Sequence, residues 1–298
     1  MTAQNSGFGT PAAPVAPVAP ERVLPQAALA DLAAVPATSR WVRSGALRLH
    51  VLDYGGDGVP LLVLPGITMP AVGMDFAVRE LVGPYRPVVL DQRGRGLSDT
   101  GASYTLEDYA EDAEAVVAGL GLDRPVLVGH SLGARVAAAA AVRGKTPLGG
   151  TVLVDPPLSG PGRDPYPTTA AAFLGQLAEA QRGTDADEVA RAWPRWPRPE
   201  QELRARWLAS CGTEAVAATH RGFEAEDFFR WWPEVPAPAV FVRGADSPVV
   251  TAAGAAEAAA ANPGAVYAEV PDAGHMVFWD NPPAALGALR DALRDLTR

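Results

Sequence analysis

At 298 residues the chain exceeds the usual ~100–200 of one domain but suits a single large α/β domain carrying an insertion. Apolar residues make up 48% and charged residues 20%, enough to build a core and too little charge for wholesale disorder. A net charge of −9 argues against nucleic-acid binding and against adhesion to an anionic membrane, and the lone Cys211 excludes an internal disulfide framework or a cysteine-cluster metal site.

Residues 1–36 are rich in Ala and Pro, with Pro11, Pro14, Pro17 and Pro20 at a period of three. Such a segment buries too little apolar surface to offset its ordering entropy, so it reads as a disordered arm of polyproline character with room for one short helix at 26–32. It lacks the basic and then apolar stretches of a secretory signal, and nowhere does the chain hold 18 consecutive apolar residues. The expectation is a cytoplasmic protein with no membrane partner.

Residues 47–52 alternate apolar and polar side chains in the manner of an antiparallel edge strand. Short apolar runs at 61–64, 88–90, 126–128, 152–154 and 240–242 have the character of strands buried on both faces of a parallel sheet. A helix is expected at 109–120, another at 134–142, and a last one at 283–296, where Leu286, Leu289, Leu293 and Leu296 share a face. Strands alternating with helices predict an open, mostly parallel α/β sheet. Gly94-Arg95-Gly96 lacks both the third glycine and the downstream acid of a dinucleotide-binding turn. No cofactor is expected.

Gly129-His130-Ser131-Leu132-Gly133 follows the run 126–128 and opens the helix at 134–142. A G-x-S-x-G sequence between strand and helix is a nucleophile elbow: the turn exposes Ser131, and the helix N-terminus behind it favours developing negative charge. A backbone oxyanion hole would draw one N–H from Leu132 and the other from Ile67, in the turn Pro65-Gly66-Ile67-Thr68.

A serine nucleophile needs a base, and the base needs an acid. His275, in the loop Pro271-Asp272-Ala273-Gly274-His275-Met276, is the expected base. His130 reads as packing, and His220 as a residue of the intervening segment that packs there or lines the pocket, a candidate for substrate binding. Two aspartates compete for the acid, Asp155 after the strand at 152–154 and Asp246 after the strand at 240–242, and spacing does not choose between them.

Residues 158–235 break the strand–helix rhythm and hold five of the seven tryptophans, Trp193, Trp196, Trp207, Trp231 and Trp232. They predict a helical cap over the pocket, dividing a core of residues 37–157 and 236–298. Cys211 within it reads as a buried small hydrophobe.

From Trp41 onward the chain resembles the α/β-hydrolase fold superfamily, on the elbow, on Asp91-Gln92-Arg93-Gly94-Arg95-Gly96-Leu97-Ser98 and on the late Gly274-His275. Closer still is its similarity to the N-formylmaleamate deformylase family of nicotinate degradation. Leu64–Thr68, the run from Val154 to Arg163, Asp246–Thr251 and Ala273–Met276 with Trp279–Asn281 carry that likeness. The resemblance implies an α/β-hydrolase fold, a Ser131–His275–Asp155 triad with Asp246 as the alternative acid, and cleavage of a small N-formyl amide to maleamate and formate. An ester or lactone substrate would use the same machinery, and a cofactor-free peroxidase or a ligand sensor could keep the scaffold. Epoxide-hydrolase chemistry is disfavoured, since it needs an aspartate where Ser131 stands. The implied substrate is a small anion, so an acidic protein needs a local cation to hold it. Arg163 is the first candidate and Arg221, beside His220, the second.

Overall fold

The computed structural model describes Ala33 and residues 36–297, so the arm expected at 1–36, with its short helix, lies almost wholly outside the described residues. Eight strands form one sheet: β1 (Thr38–Ser44), β2 (Leu47–Asp53), β3 (Val59–Leu64), β4 (Tyr85–Leu90), β5 (Val126–His130), β6 (Gly150–Val154), β7 (Ala239–Gly244) and β8 (Val266–Val270). Their order is β1-β2-β4-β3-β5-β6-β7-β8. β2 runs antiparallel to both β1 and β4, and every pair from β4 to β8 is parallel.

The apolar runs sit at the centre of the sheet because both of its faces are covered there, and every residue of β5 and β6 is buried. β2 is not the edge strand that its alternation suggests. β1 pairs outside it, Trp41 opposite His50, and takes the exposed position. The other edge, β8, is half-exposed, and its sequence VYAEV carries too short an apolar run to stand out.

Helices of seven residues or more are α1 (Leu106–Gly119), α2 (Leu132–Arg143), α3 (Ala170–Arg182), α4 (Ala186–Ala192), α5 (Arg198–Trp207), α6 (Thr213–Ala225), α7 (Ala252–Ala261) and α8 (Pro282–Leu296). α1 starts one turn before the expected 109. Thr105 caps it through the Asp108 N–H while the Asp108 carboxylate takes the Thr105 N–H, a reciprocal capping box. α2 packs on β3, β5 and β6, and α8 on β6, β7 and β8. Leu289 and Leu293 of α8 are buried, as their spacing predicts.

Helices α3 to α6 fall between β6 and β7, with no strand among the described residues there. Two tethers bind this insertion to the core turn after β4. The Gly212 N–H donates to the Gly94 carbonyl at 2.8 Å, and the buried Arg95 guanidinium reaches Thr219 Oγ1 at 2.8 Å. Among the described residues, no helix is long and apolar enough to cross a membrane.

Candidate active site

Ser131 sits between β5 and α2 with φ +56° and ψ −119°, outside the relaxed regions for a side chain with a Cβ. Its N–H donates to the Val154 carbonyl at 2.9 Å, which ties the turn to the neighbouring strand. The two flanking glycines make the geometry passable. A Cβ on Gly129 would lie 2.1 Å from the Gly133 carbonyl oxygen, and one on Gly133 would lie 1.8 Å from the Leu64 carbonyl oxygen. Strand and helix approach so closely that neither position tolerates a methyl group.

The Ser131 hydroxyl lies 2.9 Å from His275 Nε2, and His275 Nδ1 lies 3.0 Å from Asp155 Oδ1. Asp155 has no solvent exposure and a left-handed φ of +50°. Its carboxylate also accepts the Gly244 N–H at 2.9 Å and the Ser247 hydroxyl at 2.7 Å. Buried and acceptor-only, it orients the imidazole with Nδ1 donating, which leaves Nε2 free to take the serine proton. Asp246 does not reach this histidine. Its side chain is 61% exposed, with Arg195 at 3.9 Å, while its N–H holds the Ala273 carbonyl at 2.9 Å. The two aspartates differ by one strand in the sheet, and only the one after β6 faces the imidazole.

The His130 ring lines the same cavity as Ser131 but makes its hydrogen bond to the His275 backbone. Its Nε2 donates to the His275 carbonyl at 2.9 Å, which leaves Nδ1 as a buried acceptor with no protein partner. Burial, and then the nearness of His275, depress its pKa to about 3, so the ring is neutral and serves as a prop behind His275.

The amides of Ile67 and Leu132 donate to no acceptor among the described residues. The turn that carries Ile67 is braced from the segment after β4: Gln92 Nε2 donates to the Pro65 carbonyl at 2.5 Å and Arg95 Nε to the Ile67 carbonyl at 3.0 Å. Asp91 accepts the Ala71 and Leu97 N–H groups and holds that segment folded. The motif Asp91–Ser98 therefore acts on the backbone of the turn Pro65–Thr68 without entering the pocket.

These groups open into a cavity of about 200 Å³. That is below the ~300–1,000 Å³ typical of drug-sized ligands, and it suits a small molecule. Gly66, Ile67, Thr68, Ser131 and His275 form its floor, and the insertion supplies Tyr166, Phe173, Trp193 and Arg204. Tyr166 places its hydroxyl 3.2 Å from His275 Nε2. Burial raises the pKa of this phenol far above its ordinary value, so it stays protonated and shares the imidazole with Ser131.

The cations expected to meet an anionic substrate are elsewhere. Arg163 is stacked 3.9 Å from the Phe229 ring centre and forms a two-pronged pair with Glu257 at 2.6 and 3.0 Å, outside the cavity wall. A turn eight residues past Asp155 is near in sequence, but the chain leaves the pocket before reaching it. Arg221 pairs with Glu214 on the exposed outer side of α6. His220 donates from Nε2 to the Thr168 carbonyl at 2.8 Å and packs edge-on behind Tyr166 and Phe173, so it too is off the wall. Cys211 is buried, and burial pushes its thiol up to about 12, the setting of an inert side chain. Tyr166 and Arg204 escaped the sequence because no periodic signal ties residues of the insertion to the triad. Gln92 and Arg95 were visible as a motif but not as braces.

Residues 61–289 match the alpha/beta hydrolase family. N-formylmaleamate deformylase of Pseudomonas putida is 37% identical over 85% of this chain and 95% of its own length. 2-(Acetamidomethylene)succinate hydrolase of Mesorhizobium japonicum is 31% identical over 87% of this chain and 96% of its own. A solved N-formylmaleamic acid deformylase, also from Pseudomonas putida, superposes with a TM-score of 0.80 at 35% identity and covers 85% of this chain and 100% of that one. On this match and this sheet, the chain belongs to the alpha/beta hydrolase family and is a hydrolase.

Proposed function

We propose that the enzyme is a serine hydrolase that removes the formyl group of N-formylmaleamate, releasing maleamate and formate. The observation that carries this reading is the hydrogen-bonded line Ser131–His275–Asp155 opening into a cavity sized for a small substrate. Both relatives bear names of hydrolases that cleave an N-acyl amide on a small carboxylate skeleton.

Ser131 Oγ attacks the formyl carbon as His275 Nε2 takes its proton, and the tetrahedral oxyanion is met by the Ile67 and Leu132 amides. His275 then returns the proton to the amide nitrogen, and maleamate leaves with its primary amide uncharged and its carboxylate unchanged. Water, deprotonated by the same histidine, hydrolyses the formyl-serine to formate. Asp155 stabilises the imidazolium in both half-reactions. The helical insertion is the cap that excludes bulk water and sets substrate size.

Formate release from N-formylmaleamate by the purified protein tests the assignment. Turnover that disappears in Ser131→Ala supports it. Inertness toward the amide with brisk cleavage of a p-nitrophenyl ester would make the enzyme an esterase on the same machinery.

A further inference from the structure

The cavity wall carries one arginine, and that arginine has no carboxylate partner among the described residues. Arg204, on α5, is only 2% exposed. Its one hydrogen bond among the described residues runs from Nη2 to the neutral Gln176 Oε1 at 3.2 Å. The guanidinium lies 5.5, 5.4 and 5.1 Å from the ring centres of Trp193, Trp196 and Trp207. Trp193 shares the cavity wall, and its indole N–H is buried without an acceptor. Burial lowers the Arg204 pKa to about 10, which still leaves it cationic at neutral pH.

A charge withdrawn from water without a counter-ion is costly, and indole faces repay only part of that cost. Among the described residues no carboxylate is paired with it. Asp280, on the same wall, spends an oxygen on the Gly274 N–H at 2.8 Å and is not paired with Arg204. Glu179 and Glu188, across a separate small hollow on the other side of Arg204, form no ion pair with it either. The missing counter-ion therefore belongs to a ligand that enters beside Ser131.

We propose that Arg204 is the anchor for the substrate's carboxylate. It grips that group with its unused Nε and Nη1 donors, assisted by the Trp193 N–H, and so presents the far end of the molecule to Ser131. A guanidinium takes a carboxylate through two parallel hydrogen bonds, which fixes orientation as well as charge. In the small cavity one molecule can meet both Arg204 and the nucleophile. This rests on the reading of the site as a hydrolase of small anionic amides, and it restricts the substrates to those with a carboxylate remote from the scissile bond.

Binding to the inactive Ser131→Ala protein separates recognition from chemistry. The probes are maleamate and its uncharged counterpart maleamide, titrated calorimetrically, with tryptophan fluorescence as a second readout near Arg204. Maleamate should bind about 10–100-fold more tightly than maleamide. Adding Arg204→Gln should bring the two affinities together, and Arg204→Lys should restore part of the preference. Should the glutamine variant fail to fold, Arg204→Lys in the active enzyme decides: KM for the anionic amide rises several-fold while kcat changes little. No preference for maleamate in Ser131→Ala, a preference that survives Arg204→Gln, or an unchanged KM in Arg204→Lys would overturn the proposal. An Arg204-dependent preference in a protein that releases no formate from N-formylmaleamate would keep the anchor and discard the deformylase assignment. Formate release with an Arg204-independent preference would do the reverse.

Discussion

Replacing Ser131 by alanine removes the proposed nucleophile, so kcat/KM should fall on the order of 10⁴-fold or more with the fold intact. His275→Ala should be comparably severe. Appreciable turnover in either variant would refute the serine mechanism. The acid can be settled by a pair of substitutions. Asp155→Asn breaks a buried carboxylate that orients the imidazole and also accepts from Gly244 and Ser247, so a loss of about 10⁴ in kcat is expected. Asp246→Asn changes an exposed side chain and should alter kcat by no more than about threefold. The reverse ranking would move the acid one strand along the sheet. Arg163→Ala should now leave KM for the anionic amide nearly unchanged, because its fork is spent on Glu257. Its expected cost lies in the link between the insertion and α7, read as a small drop in melting temperature.

At the level of elements, the elbow is a packing problem before it is a catalytic device. Gly133→Ala would force a methyl group against the Leu64 carbonyl, so α2 must back away from β3. That separation disturbs the core at its most buried point, and the variant should be insoluble or melt far below the parent. A parent-like melting curve would mean that the strand–helix contact is slack. Thr105→Ala removes one half of the α1 capping box and should cost about 1 kcal/mol in urea unfolding, without effect on KM. The central strands were legible in the sequence because burial on both faces leaves an unbroken apolar run, as at Val126–Val128. Ser131, His275 and the elbow glycines were legible because backbone geometry restricts which residues can stand there. The edges were not: β1 and β8 each have a single fully buried residue, so neither has a continuous inner face to impose the two-residue alternation. The insertion was legible only as an absence of strands. What Tyr166, Trp193 and Arg204 do there depends on how α3 to α6 fold back over the sheet, which no local spacing encodes.

Across the whole molecule, two groups shifted by desolvation, the buried His130 and the half-buried Glu200, pull stability in opposite directions as the solution is acidified. His130 has its pKa depressed to about 3 in the folded protein, against ~6.5 for an unfolded histidine. Between those values the unfolded chain binds a proton that the native state refuses, so this group erodes stability as pH falls below about 6.5, by up to about 1.4 kcal/mol per pH unit. Glu200, at the start of α5, is raised to about 7, chiefly by burial. From there down to the ordinary glutamate range the native state holds the extra proton, so Glu200 adds stability as pH falls. The two effects overlap between roughly pH 6.5 and 4.5 and oppose each other. The parent protein should therefore show a shallower acid slope there than either group alone would give. His130→Gln, whose amide can still donate to the His275 carbonyl, should be less stable than the parent at pH 7.5 through lost packing. That deficit should shrink steadily in urea titrations at pH 6.5, 5.5 and 4.5, as the parent alone bears the cost of keeping a histidine neutral. Glu200→Gln should behave in the opposite sense, falling behind the parent as the pH drops. A His130→Gln deficit that stays constant from pH 7.5 to 4.5 would mean that this imidazole takes up its proton as readily inside the protein as in water.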